Sequence, residues 1–251
     1  MEEGKLDMVL VPIGLTVMGL YHLWLFIMVK HRPKRTVIGL NALARHRWVL
    51  SMISDPSKNG VLAVQTIRNN IMASTVLATT AITLTSLIGV FVSSSSSTTT
   101  SSLIYGNRSH TILSIKYFSI LLCFLLAFLC NVQSIRYYAH VSFLVSVPVL
   151  RRRRGGEVVV STDYVSRSLN RGSVFWSVGL RAFYASFVLF LWIFGPIPML
   201  VGCVSITGVL YFLDTTTGFT RDLHEMMMCV EEAEMQDMDL ESHGDGVGGG
   251  L

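Results

Sequence analysis

Five apolar stretches, at residues 6–29, 71–92, 112–130, 174–194 and 197–213, constrain this chain more than anything else in it. A bilayer's hydrocarbon core is about 30 Å thick, so a spanning helix needs about 20 mostly apolar residues. Four of the stretches meet that length and the fifth sits at its lower limit. The expected fold is all-α: a polytopic membrane helix bundle of about five transmembrane helices, with amphipathic helices on the cytoplasmic side. Residues 1–222 make up the bundle. Residues 223–251 form an acidic, Met- and Gly-containing tail expected to be largely disordered in the cytoplasm.

Charge sets the orientation. Only 14% of the residues are charged, against about 25% in an ordinary soluble domain. The loop after the first stretch holds eight Lys or Arg and the loop after the third holds seven. Arg108 alone lies between the second and third, and the turn at 195–196 has none. With five crossings, both basic loops and the C-terminal tail fall on one side. The positive-inside rule then predicts an exterior or lumenal N-terminus and a cytoplasmic C-terminus. The same reasoning accounts for the net charge of +4 without a nucleic-acid partner. Which membrane is involved stays open. The acidic start Met1-Glu2-Glu3 is unlike a cleaved signal peptide, so the first stretch reads as a retained span.

Between the spans, residues 36–54 read as an amphipathic helix with Val37, Leu40, Leu43, Ala44 and Trp48 on one face. It could lie on the lipid or pack on the end of the bundle. Arg45 and Arg47 on it, with the block Arg151, Arg152, Arg153 and Arg154, are candidate contacts for anionic lipid headgroups. Asp55-Pro56 reads as a helix cap followed by proline at the first helical position. Ser74, Ala78, Ala81 and Thr85 form a small-residue stripe suited to close helix packing. Residues 93–102 are all Ser and Thr and read as a linker, and Asn107-Arg108-Ser109 matches a glycosylation acceptor. Residues 141–150 are apolar but too short to span, and are expected to form a separate re-entrant or interfacial segment ended by Pro148.

Ionisable and polar groups at membrane depth are costly and raise the prior for function. His22, Asn131, Gln133, Arg136, Arg181 and Asp214 are therefore the candidate intramembrane and mouth residues. Arg181 either snorkels to the interface or pairs with Asp214 at the end of the fifth stretch. His22 reads equally as a neutral histidine bonded to a neighbouring helix. The cysteines lack a CxxC or a Cys/His cluster, so no metal and no cofactor is expected. No catalytic residue is assigned: HExxH, GxSxG and paired acids within spans are all missing.

The blocks at 55–70, Asn131-Val-Gln-Ser-Ile-Arg-Tyr-Tyr-Ala-His140, Gly179-Leu-Arg-Ala-Phe-Tyr184 and Trp192-Ile-Phe-Gly-Pro-Ile-Pro198 resemble the plant and bacterial membrane family known as domain of unknown function 599. The resemblance covers about residues 6–222. It implies a shared helix bundle and carries no reaction or substrate. Two functions compete: a small-solute or ion pathway, placed marginally first, and a scaffold binding anionic lipid or a protein through its basic loops. An intramembrane enzyme ranks last. The lipid bilayer is the one expected partner, with self-association left open.

Overall fold

The computed structural model describes residues 2–95, 110–146, 162–215 and 226. Among these residues six α-helices follow one another: α1 (Glu2–His31), α2 (Val37–Ser54), α3 (Pro56–Ser95), α4 (His110–Ser146), α5 (Thr162–Phe194) and α6 (Pro196–Asp214). A single 3-10 turn, Pro33–Arg35, joins α1 to α2. No strand occurs among the described residues; Thr36 and Thr215 make one isolated antiparallel bridge. All the helices but α2 are long and apolar enough to cross a bilayer. The protein is an integral, multi-pass membrane protein of all-α fold.

Local chemistry sets the helix ends. Asp55 Oδ1 accepts from the Lys58 amide at 3.2 Å and from the Ser57 hydroxyl at 2.6 Å, which caps α3 just before Pro56. These bonds, Ser57 first, hold the exposed Asp55 carboxyl below the usual carboxylate range. Thr36 Oγ1 accepts from the Gly39 amide at 3.2 Å and starts α2. Gly195 separates α5 from α6 with φ 149°, a backbone conformation open to glycine, and Pro196 begins the next helix.

The bundle has two levels. In the first, Val11, Ala81, Ile120, Phe124, Ala127, Ala182, Phe183 and Met199 form a core shared by all five long helices. The second lies at the end of the bundle where α3 and α5 begin. There Ala63 and Ile67 of α3, Tyr138, Val141 and Val145 of α4, and Val165 and Leu169 of α5 pack under Val49 and Met52 of α2. The end of α4 at Ser146 and the starts of α3 and α5 all lie at this second core.

One expectation needs correction. Residues 141–146 are not a separate segment: α4 runs unbroken to Ser146. Tyr138, Val141 and Val145 follow at three- and four-residue spacing, so the helix buries a continuous stripe and gains nothing by breaking. Of the face read on α2, Leu40 is buried, Val37, Leu43 and Trp48 are half-buried with Trp48 against the second core, and Ala44 is exposed, while Gly39, Val49 and Met52 are buried as well. α2 packs on α5, α3 and α4, which covers residues on more than one side of it. The arginine block at 151–154, the glycosylation motif at 107–109, most of the Ser/Thr tract and the acidic tail lie outside the described residues.

Small residues set the spacing of the helices, as in lipid, where packing rather than water exclusion drives association. Ser74, Ala78 and Ala81 are buried against α4, and the Ser74 hydroxyl donates to Ser134 Oγ at 3.4 Å. Across the α4–α5 contact, a Cβ on Gly179 would lie 2.8 Å from Asn131 Nδ2 and 3.2 Å from the Ala127 carbonyl oxygen. Only a glycine lets the two helices approach so closely there.

Candidate functional site

α1 carries a seven-residue repeat, Asp7, Gly14 and Tyr21, interleaved with Val11, Met18 and Leu25. All six lie on the face turned to the bundle, the pattern of an a/d seam. α1 packs chiefly along α6, where a Cβ on Gly14 would meet Cys203 Sγ at 3.0 Å. This seam delivers two polar side chains, Asp7 and Tyr21, into the bundle at opposite ends. Fourteen residues separate them, about 21 Å of helix.

Tyr21 reaches Asp214, the last residue of α6. Its hydroxyl donates to Asp214 Oδ2 at 2.5 Å. Arg181 of α5 reaches the same carboxylate from the other side, its Nη2 donating to Oδ1 at 3.0 Å and to Oδ2 at 2.9 Å. The ion pair is well enclosed, with Arg181 15% and Asp214 12% exposed at the side chain. A carboxylate at a helix C-terminus faces the negative end of the helix dipole. The guanidinium and the phenol offset that cost. Arg181 Nη1 is buried and bonds no described residue. Trp24 and Tyr211 wall the cluster: Trp24 lies 6.1 Å from the Tyr21 ring and 5.5 Å from that of Tyr211.

A second polar network sits at the opposite end. Lys116 of α4 is 2% exposed, and its Nζ donates to the Trp192 carbonyl oxygen at 3.0 Å while lying 5.2 Å from the Trp192 ring centroid. Trp192 Nε1 donates to Asp7 Oδ1 at 3.4 Å, and the Asp7 charge also acts on Lys116. The ammonium thus sits near the C-terminal end of α5, where a cation is favoured.

The six candidate residues do not form one site. Arg181 and Asp214 come together. His22 is next to Tyr21 but turns away: its Nδ1 donates to the Met18 carbonyl oxygen at 2.7 Å, and its ring stands edge-on to Tyr21 at 5.2 Å. Asn131 is fully buried in the α4–α5 contact, where Nδ2 donates to the Ala127 carbonyl oxygen at 2.8 Å and Oδ1 has no described partner. Gln133 is half-buried and Arg136 exposed on α4. Of the headgroup candidates, Arg45 donates from Nε to Asn170 Oδ1 at 2.7 Å, tying α2 to α5, and Arg47 is half-buried. Burial lowers the pKa of the Arg45 guanidinium from its ordinary value. His46, beside it, bonds Ser166 at 3.0 Å.

Sequence reasoning passed over Tyr21, Asp7, Lys116 and Trp192. The heptad in α1 signals the first two. Nothing in the sequence signals the Trp192 carbonyl as an acceptor, since every residue has one.

The family described as Protein of unknown function, DUF599, matches residues 9–219. The chain belongs to the DUF599 family. Tyr21, Asn131, Gly179, Arg181 and Asp214 fall inside the matched region, while Asp7 precedes it. No curated protein and no solved structure matches the chain. The DUF599 match brings no reaction, ligand or partner with it, so the chemistry has to come from the side chains.

Proposed function

We propose that the protein provides a pathway for a small solute or ion across the membrane, with Arg181, Asp214 and Tyr21 as its polar centre. The observation that carries this reading is one enclosed ion pair shared by three spanning helices, α1, α5 and α6. Helix adhesion does not require it. The α3–α4 and α4–α5 contacts are made with small residues and neutral hydrogen bonds, and desolvating an ion pair costs several kcal/mol per ion before any return. The Asp7–Trp192–Lys116 network supports the same reading, because it places charge at the other end of α1. By the positive-inside rule the end bearing the basic connectors faces the cytoplasm and the N-terminus faces the exterior or lumen.

The test is reconstitution of the purified protein into liposomes with a broad flux screen of ions and small solutes. Flux should appear with the wild type and vanish in R181L, and survive neutralisation of Arg151–Arg154. Failure of every solute to cross ends the pathway reading.

A scaffold that holds anionic lipid is the second reading. Arg167 and Arg171 are exposed on α5 beside α2, which carries Arg45 and Arg47. Phosphatidylglycerol or phosphoinositide retained through detergent purification, and lost when Arg167 and Arg171 are replaced by Gln, supports it.

A further inference from the structure

We infer that the unengaged amino group of Arg181 is the docking point for a small monovalent anion, of the size of chloride, nitrate or formate, held beside the Tyr21–Asp214 pair. The inference rests on the pathway reading and narrows its cargo to anions.

A guanidinium and a carboxylate satisfy each other best as a fork, with two nitrogens each donating to one oxygen. Arg181 departs from that geometry. Both oxygens of Asp214 share the single nitrogen Nη2, at 2.9 and 3.0 Å, and Nη1 stays buried without a described partner. Buried polar groups are almost always bonded, so each exception asks for a cause. Tyr21 supplies part of one: by donating to Oδ2 it holds the carboxylate on Nη2 and away from the fork.

Two hydroxyls, one on α6 and one just past its end, have the same character. Thr215 follows Asp214 directly, and Thr207 lies seven residues before it, hence on the same helix face. Both bury an Oγ1 with no described partner. An unused cationic amino group suits an acceptor-only ligand with negative charge. Nη1 is fully buried, which restricts any ligand beside it to a few atoms. Asp214 is the ligand's competitor for the guanidinium. Asparagine at that position keeps its shape and removes its charge.

The experiment uses the full chain in detergent, with sodium chloride, nitrate or formate exchanged for gluconate at constant ionic strength. Thermal unfolding and tryptophan fluorescence are the readouts. A parallel series adds a short-chain phosphatidylglycerol, the other source of anionic charge. D214N is expected to bind nitrate or formate at least tenfold more tightly than the wild type, and R181Q to show no response. R181K keeps the charge without the second amino group, is expected to lose the response as well, and replaces R181Q if that variant does not fold. Equal responses in wild type and R181Q, no response in any variant, or a response to the lipid alone overturns the inference. Flux of cations or neutral solutes without anion binding also overturns it and leaves the pathway reading standing. Anion binding without flux of any solute supports the site and ends the pathway reading.

Discussion

Arg181 gives one amino group to both oxygens of Asp214 and the other to no described residue, so the pair is held on one side only. Its two members come from α5 and α6, the helices joined by the tight turn at Gly195. Breaking a buried pair by removing one partner costs about 3–5 kcal/mol, because the other charge stays buried alone. D214A and R181L should each lose that much. The double variant R181L/D214A should lose clearly less than the sum, since no charge is stranded. Thermal unfolding of the four proteins in one detergent checks this, and additive losses refute it.

Tyr21 holds the carboxylate with its hydroxyl alone. Replacing it with phenylalanine keeps the ring against Trp24 and removes one hydrogen bond to a charged group, worth about 1.5–3 kcal/mol. Y21F should be destabilised within that range in the wild-type background. In D214A it should have almost no effect, because the acceptor is already gone. A full loss in both backgrounds would place the role of Tyr21 elsewhere.

Gly179 marks the closest approach of α4 and α5. A methyl group there meets the Asn131 amide at 2.8 Å and the Ala127 backbone at 3.2 Å. The amide can swing away and the backbone cannot, so G179A should cost about 1–3 kcal/mol, as overpacking does. Adding N131A should recover only the part due to the amide. Unchanged melting in G179A would mean the two helices stand further apart.

The cap on α3 should respond to pH. The Asp55 carboxyl is held below its ordinary value by Ser57 and the Lys58 amide. A group with a depressed folded pKa stabilises above the unfolded value, about 3.9 for Asp, and loses that contribution as pH falls through the folded one. Amide exchange at Lys58, corrected for intrinsic rate, should therefore accelerate below about pH 4 in the wild type. D55N should keep a cap without this pH step, since asparagine caps well and does not titrate. A pH-independent rate in the wild type would refute the assignment.

The legible parts of the fold followed from periodicity and from rarity. Ser74, Ala78 and Ala81 declared a packing stripe because small residues repeat there at helical spacing, and they are buried. Arg181 and Asp214 could be paired on paper because the last two spans hold few other charges. The ends of the helices were harder to read. Residues 131–146 and 162–173 mix polar and apolar side chains, which hydropathy reads as the edge of the membrane, yet Tyr138, Val141, Val145, Val165 and Leu169 continue the packing beyond it. Tyr21 was missed because a tyrosine in an apolar span reads as an interfacial aromatic until its seven-residue relation to Asp7 and Gly14 is noticed. The role of Lys116 depends on a main-chain carbonyl, which leaves no mark in a sequence.

A helix of 40 residues, as α3 is, measures about 60 Å, roughly double the oily layer it crosses, and α5 also continues past that layer without a break. A loop would absorb a displacement as a change of shape. A continuous rod passes it on. Whatever tilts α5 at Leu169, where α2 and α4 grip it, therefore moves Arg181 as well, twelve residues and about 18 Å further along the same rod, with no hinge between them to take up the motion.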